Sequence, residues 1–459
     1  MKYVSTRGSA PTLGFADVLL AGLASDGGLY VPESWPALPS TDVLDAAATY
    51  AETAAMIIQP FVGDDIAPGE LRAMCDAAYG TFRHDAVVPL VQIDHQHWVA
   101  ELFHGPTLSF KDVALQLVGR LFDHVLGQRG ERVTIVGATS GDTGSAAIEA
   151  VRDCAHVDIV ILYPDGGPSD VQRRQMTTVD TPNVRSIAVE GTFDDCQDLV
   201  KAMFNDALFR ERMGLSAVNS INWARVMVQT VYYATTSRAL RRPITACVPT
   251  GNFGNVLAGW VAKQMGATVA DFIVASNAND ILTRFVNDGD MSMRPVVPTT
   301  SPSMDIQVSS NFERLLFEMN ERQGARTAEQ LIRFRETGRL EIADDLRARW
   351  IDGRFRAARY DDDAVAAEIR RVFEASGMLI DPHTATGTAA ARAMAGEHPV
   401  VTMATAHPAK FPDAVERATG VRPALPDHLA DLYDRPERTE LLANDLAVVE
   451  DYVAGTFGR

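Results

Sequence analysis

The 459-residue sequence predicts an α/β protein with mostly parallel sheets. From about residue 130, short apolar runs are repeatedly followed by a glycine-rich turn and a stretch of helical period. Such alternation of strand and helix is the pattern of a mostly parallel sheet. The balance of 46% hydrophobic to 22% charged residues belongs to a soluble globular chain, long enough for two or three cored domains.

In chain order, residues 1–100 read as mostly helical. DVLLAGLASDGGLYVP (17–32) carries a helix that stops at glycines, and LDAAATYAETAAMIIQPFV (44–62) a second one at helical period. HGPTLSFKDVALQ (104–116) opens a helix whose apolar face runs through Val113, Ala114, Leu117, Val118, Leu121 and Phe122. Ser109 and Asp112, three apart, resemble a capping box with Asp in place of Glu. Strand–loop–helix units follow at 133–151, 157–176, 184–204 and 244–266, and again from 271. NDGDMSMRPVVPTTSPSMDIQ (287–307) lacks periodicity and reads as a long exposed loop, a lid or entrance wall. Residues 311–375 return to amphipathic helix, and VVTMATAHPAKF (400–411) is a late strand entering a turn.

The net charge of −18 disfavours nucleic acid and anionic membranes as partners. Cys75, Cys154, Cys196 and Cys247 form no CxxC pair, so neither a zinc site nor a disulfide framework is expected. The start MKYVSTRGSAPTLGF has no apolar run behind a basic end, and no 18-residue apolar stretch exists, so a cytoplasmic location is expected.

Lys111 is one of five lysines among 42 basic residues. Arginine stays protonated in proteins, whereas a lysine in a dry first helical turn, beside the positive dipole end, becomes an amine nucleophile more readily. An exposed first-turn lysine is the plainer reading. GATSGDTG (137–144) matches neither the dinucleotide fingerprint nor a P-loop, and leaves hydroxyls and backbone N–H groups at a helix start. That suits a carboxylate; a tight structural turn is the competing reading. PTGNFGN (249–255), between a strand and a helix, is the better anion site. Gly251 and Gly254 are expected to allow several N–H groups to converge on one phosphate. NSINWAR (219–225) places amides, a hydroxyl and Arg225 together, suited to an anionic group or simply a helix start with a surface arginine. The histidines of DPHTATG and TAHPAKF lack partners at ligand spacing, so no metal is expected. An isolated lysine, a lysine-free phosphate cup and an anion loop together fit pyridoxal phosphate, which needs an amine, a cup and a substrate carboxylate site.

With STRG, LASDGGLYVPE, FHGPTLSFKD, ATSGDTG, NSINWAR, PTGNFGN, DPHTATG and TAHPAKF, the chain resembles the threonine synthase family nearly end to end. The long N-terminal helical region is similar to that of the fungal and bacterial branch. The resemblance implies a fold type II pyridoxal-phosphate enzyme: two open α/β domains with the cofactor between them, plus a helical N-terminal domain. It implies boundaries at 1–95 (helical), 96–190 (small domain with the lysine) and 191–459 (large domain with the phosphate loop). Lys111 would carry the cofactor, and Gly251, Asn252, Phe253, Gly254 and Asn255 would hold its phosphate. Thr405 would face the ring nitrogen and Asp142 the ring hydroxyl. Thr139, Ser140, Gly141 and Thr143 would take the substrate carboxylate. Asn219, Ser220 and Arg225, with Asn252 and Thr143, would grip the substrate phosphate. The implied substrate is O-phospho-L-homoserine, and the implied assembly a monomer. Two alternatives stay open: a phospho-lyase or dehydratase of the same fold releasing a keto acid, and a non-catalytic binding relative.

Overall fold

The computed structural model describes residues 1–216 and 220–458. The chain divides into two compact units, each discontinuous in sequence: Met1–His104 with Ser220–Pro423, and Gly105–Asn219 with Ala424–Arg459.

The first unit is built on a six-stranded sheet in the order Phe355–Arg359, Val269–Ser276, Ile244–Pro249, Val400–Ala404, His97–Glu101, Leu90–Gln92. All neighbours are parallel except the last pair, an antiparallel edge hairpin. Ile244–Pro249 and Val400–Ala404 are buried at every position, in keeping with sequences that are apolar but for Thr245 and Thr402. The N-terminal region is helical, with a small antiparallel ribbon of Tyr3–Ser5 on Tyr30–Pro32. The helix expected across 44–62 is two: Thr41–Ala46 and Tyr50–Val62. The break follows from capping, because the Thr49 side chain accepts the Glu52 N–H at 3.1 Å and Ala47 turns extended.

The second unit holds a five-stranded, wholly parallel sheet in the order Glu440–Ala443, Val184–Glu190, Val157–Pro164, Val133–Ala138, Leu215–Ser216. The C-terminal helix Leu446–Phe457 supplies Val449 and Val453 to its core, beside Val160, Leu162, Ile187 and Met203.

The 287–307 segment is less loose than its sequence indicates. Residues 293–298 are exposed, but 299–307 are drawn in. Asn277 Nδ2 donates to Thr299 Oγ1 and Asp305 Oδ1, both at 2.8 Å, and the Thr300 N–H reaches Asp362. The segment is pinned to its unit as a wall.

Candidate active site

In open parallel sheets, ligands meet the loops at the carboxyl ends of strands. In each unit several of the residues singled out from sequence lie at such ends. In the second unit, Thr139–Gly141 follow strand Val133–Ala138 and lead into helix Asp142–Val151. In the first, turn 250–253 follows strand Ile244–Pro249, and Thr405 follows Val400–Ala404.

Within the second unit, Lys111 is the first residue of helix Lys111–Arg129 and only 6% exposed. The first turn is capped differently from a Ser–Asp box. Ser109 Oγ accepts the Lys111 N–H at 3.2 Å, while the Asp112 carboxylate takes the Thr107 N–H and hydroxyl at 2.8 and 2.7 Å. The carboxylate thereby ties the preceding turn down and holds Lys111 at its place. The amine lies 4.9 Å from the Phe110 ring centroid and 3.4 Å from Asp142 Oδ2. Asp142 is itself oriented, since Gln172 Nε2 donates to its Oδ1 at 2.8 Å while Gln172 Oε1 accepts the Ser169 N–H. Gln172 belongs to helix Asp170–Thr177, thirty residues on, and nothing local to Asp142 announces it. Gly141 makes the contact possible. At φ +145° it lies where side chains are rarely tolerated, and a Cβ there would stand 2.5 Å from Gln172 Cδ. Thr139 Oγ1 accepts the Gly141 and Gly144 N–H groups at 3.0 and 2.9 Å, so it shapes the turn. Ser140 is exposed and Thr143 half-buried at the helix start.

Within the first unit, the turn at 251–255 is made otherwise than its glycines suggest. Neither Gly251 nor Gly254 has positive φ; Phe253 does, at +62°. A bulky residue in that region is strained and persists only where packing over-determines it. Phe253 is 2% exposed, with its ring 5.4 Å from that of Phe312 and 6.2 Å from that of Phe355. The glycines serve close approach instead. A Cβ at Gly251 would come within 3.0 Å of Ile306, and one at Gly254 within 3.2 Å of Asn311. Asn252 Nδ2 donates to Ser220 Oγ at 3.1 Å, and Asn311 Nδ2 to the Ser220 carbonyl at 3.0 Å. Arg314, pushed down to about 9 by burial, donates to Asn311 Oδ1 and to the Tyr30 and Ile221 carbonyls. Asn311 and Arg314 therefore fix the turn against 220–221, a role that no motif in their own stretch signals. Asn219 lies outside the described residues.

Arg225 Nη1, Asn255 Nδ2 and Thr405 Oγ1 are among the buried polar atoms of this unit that lack a hydrogen-bond partner among the described residues. An unpaired buried polar group costs about 1–3 kcal/mol. Arg225 is 5% exposed, and burial pushes its guanidinium down to about 10. Such orphaned donors are matched by an anion, and Thr405 offers a neutral hydroxyl. The two histidines have other work. His383 Nδ1 shares a hydrogen bond with Asp381 at 2.7 Å, and His407 Nδ1 accepts the Ala409 N–H. Among the described residues, no group of three or more His, Cys, Asp or Glu is arranged to hold a metal ion.

Each unit by itself offers groups suited to part of pyridoxal phosphate: the second a buried lysine suited to an aldehyde, the first orphaned donors at a helix start suited to a phosphate and a neutral hydroxyl suited to a ring nitrogen. Comparison with known proteins agrees. Three family models match the chain: threonine synthase N terminus over residues 2–79, pyridoxal-phosphate dependent enzyme over 86–336, and threonine synthase, C-terminal, over 384–453. The threonine synthase of Pseudomonas aeruginosa is 52% identical, over 99% of this chain and 98% of its own. The crystal structure of a pyridoxal-phosphate-bound threonine synthase from Brucella melitensis superposes with a TM-score of 0.97 at 52% identity, covering 99% of each chain. The yeast enzyme gives 0.93 at 35% identity, over 100% of this chain and 99% of that one. The chain belongs to the threonine synthase family of pyridoxal-phosphate-dependent enzymes.

Proposed function

We propose that the protein converts O-phospho-L-homoserine and water into L-threonine and phosphate. The observation that carries the choice of substrate is Arg225, a buried guanidinium whose Nη1 has no partner among the described residues. A cation held at that cost fits a phosphorylated substrate, which Arg grips bidentately. Ser220 and Asn252, joined by a hydrogen bond, assist it; Thr143 and Asn219, the latter outside the described residues, are the remaining candidates. Thr139, Ser140 and Gly141 receive the substrate's α-carboxylate at the start of helix Asp142–Val151.

When bound, pyridoxal phosphate would supply an electron-accepting ring; Lys111 would hold its aldehyde until the substrate's amine takes that place and frees Nζ, and residues 251–255 would hold its phosphate. Lys111 Nζ is the base. It takes the proton from the α-carbon and then one from the β-carbon, after which phosphate leaves the γ-carbon. Water adds at the β-carbon, and Lys111 returns protons to the carbon skeleton. Asp142, 3.4 Å from Nζ and fixed by Gln172, steadies the amine and would take the ring hydroxyl. Thr405 would meet the ring nitrogen. Its hydroxyl, unlike a carboxylate, brings no negative charge there, so proton control rests on Lys111. The same reading takes the enzyme as a cytoplasmic monomer that, at a charge of −18, avoids nucleic acid and anionic membranes.

The test is to incubate the purified protein with O-phospho-L-homoserine and assay threonine, phosphate and 2-oxobutanoate together. Threonine and phosphate in equal amounts are expected. Phosphate with 2-oxobutanoate in place of threonine establishes the lyase alternative, and no turnover with bound cofactor the binding relative.

A further inference from the structure

Helix Trp223–Leu240 carries Arg225 and, seven and eight residues on, Tyr232 and Tyr233. Both tyrosines are fully buried, and both hydroxyls reach one atom, Asn255 Oδ1, at 2.6 and 2.8 Å. Burial raises both phenols well above their ordinary range, so each hydroxyl keeps its proton and donates it. A carboxamide oxygen has two lone pairs, and two donors fill them. Because the amide is planar, holding Oδ1 leaves Nδ2 one direction. The reverse orientation would strand two buried phenolic protons, since neither hydroxyl has another partner among the described residues.

Asn255 is 6% exposed, and its NH2 group has no partner among the described residues. It stands second in helix Gly254–Met265, at the end where N–H groups and the helix dipole favour an anion. One turn further, Gly259 leaves room for the tyrosine: a Cβ there would lie 2.7 Å from Tyr233 Cε1 and 2.8 Å from Phe272 Cε1. Two tyrosines and a glycine are thus committed to one amide, whose free end is a donor.

We propose that Tyr232 and Tyr233 are positioning residues: together they lock the Asn255 amide so that its NH2 group donates to the phosphoryl oxygens of the cofactor. This rests on the reading of the Gly251–Asn255 turn as the cofactor's phosphate cup. The tyrosines touch neither cofactor nor substrate. Their effect is therefore confined to ligands that carry the phosphate, and it runs through Asn255.

The test is a set of cofactor titrations on apoprotein, read by absorbance and by the 31P shift of the bound cofactor. Pyridoxal phosphate is compared with pyridoxal, which lacks the phosphate. The variants are Tyr232→Phe, Tyr233→Phe and the double change, each with Asn255 and with Asn255→Ala. The double change should weaken pyridoxal phosphate roughly tenfold or more, the loss of one hydrogen bond to a charged phosphoryl oxygen, move the 31P signal and leave pyridoxal unaffected. In the Asn255→Ala background the same change should do nothing further. Equal weakening of both ligands, or a full effect without Asn255, overturns the proposal, because the tyrosines would then act on the fold. Should the phenylalanine variants fail to fold, Asn255→Asp decides. It keeps both hydroxyl bonds but presents an acceptor where the NH2 stood, so pyridoxal phosphate should bind at least tenfold more weakly and pyridoxal unchanged; undiminished phosphate affinity refutes the lock. If wild-type apoprotein takes up pyridoxal phosphate no better than pyridoxal, the phosphate cup itself falls, and the inference with it.

Discussion

Replacing Arg225 by methionine should raise stability and weaken substrate binding, two effects of opposite sign at one residue. Burial moves the guanidinium from its ordinary range down to about 10. Holding it charged in the folded state at neutral pH therefore costs about 3 kcal/mol. A cation with a lowered pKa in the folded protein carries this penalty in full below about pH 10 and sheds it only as pH rises from there towards the ordinary guanidinium range. Methionine keeps most of the length and drops the charge. After allowance for lost contacts, a net gain of about 1 kcal/mol, or roughly 1–2 °C in melting temperature for a chain of this size, is expected for the ligand-free protein. Inorganic phosphate should stabilise wild type, by about 2.7 kcal/mol at a hundred times its dissociation constant, and the variant far less. With substrate, losing a charge-assisted hydrogen bond of about 1.5–3 kcal/mol raises KM roughly 10- to 100-fold. Differential scanning calorimetry with and without phosphate, beside steady-state kinetics, reads both arms. A ligand-free variant that melts below wild type refutes the reasoning, since the guanidinium would then be satisfied within the fold.

Lys111→Ala should abolish threonine formation and borohydride-fixed label while leaving far-UV circular dichroism unchanged; label retained at another lysine would move the site. Gln172→Leu removes a donor from Asp142 and an acceptor from the Ser169 N–H, so a loss of about 1–3 kcal/mol and a shifted visible band of the bound cofactor are expected. Gly141→Ala should reproduce that spectral shift, because its Cβ would displace the same amide; a shift from one variant without the other counts against the coupling. Thr405→Val discards a hydroxyl that has no partner among the described residues, so ligand-free stability should hold within about 1 kcal/mol while cofactor affinity falls. Burial pushes Cys75, Cys154 and Cys247 up to about 12 and Cys196 to about 11, so all four stay thiols at pH 8 and iodoacetamide should not inactivate the enzyme. Rapid inactivation with one label incorporated would show an opening that exposes a thiolate.

What the sequence determined by itself is what short-range chemistry encodes. Mostly apolar runs such as VDIVILYP, interrupted by Asp158 alone, required buried parallel strands, and residues 157–164 form one buried at every position. Lys111 stood out because a lone lysine opened an apolar helix, and the 251–255 turn because strand, glycines and helix adjoin in the chain. What only the tertiary structure decided are the partners those residues take. Gln172 reaches Asp142 across thirty positions, and Tyr232 and Tyr233 reach Asn255 across 23 and 22. The Phe253 backbone is held at positive φ by aromatic rings remote in sequence, and residues 424–459 rejoin the unit begun at 105. The physical reason is that periodicity and turn chemistry act over a few residues, whereas the direction of a buried amide or guanidinium is set by whichever groups sheet closure brings beside it. An unsatisfied donor exists only once the surrounding core has excluded water, so the sequence displayed the donors while the fold alone decided which were left for a ligand.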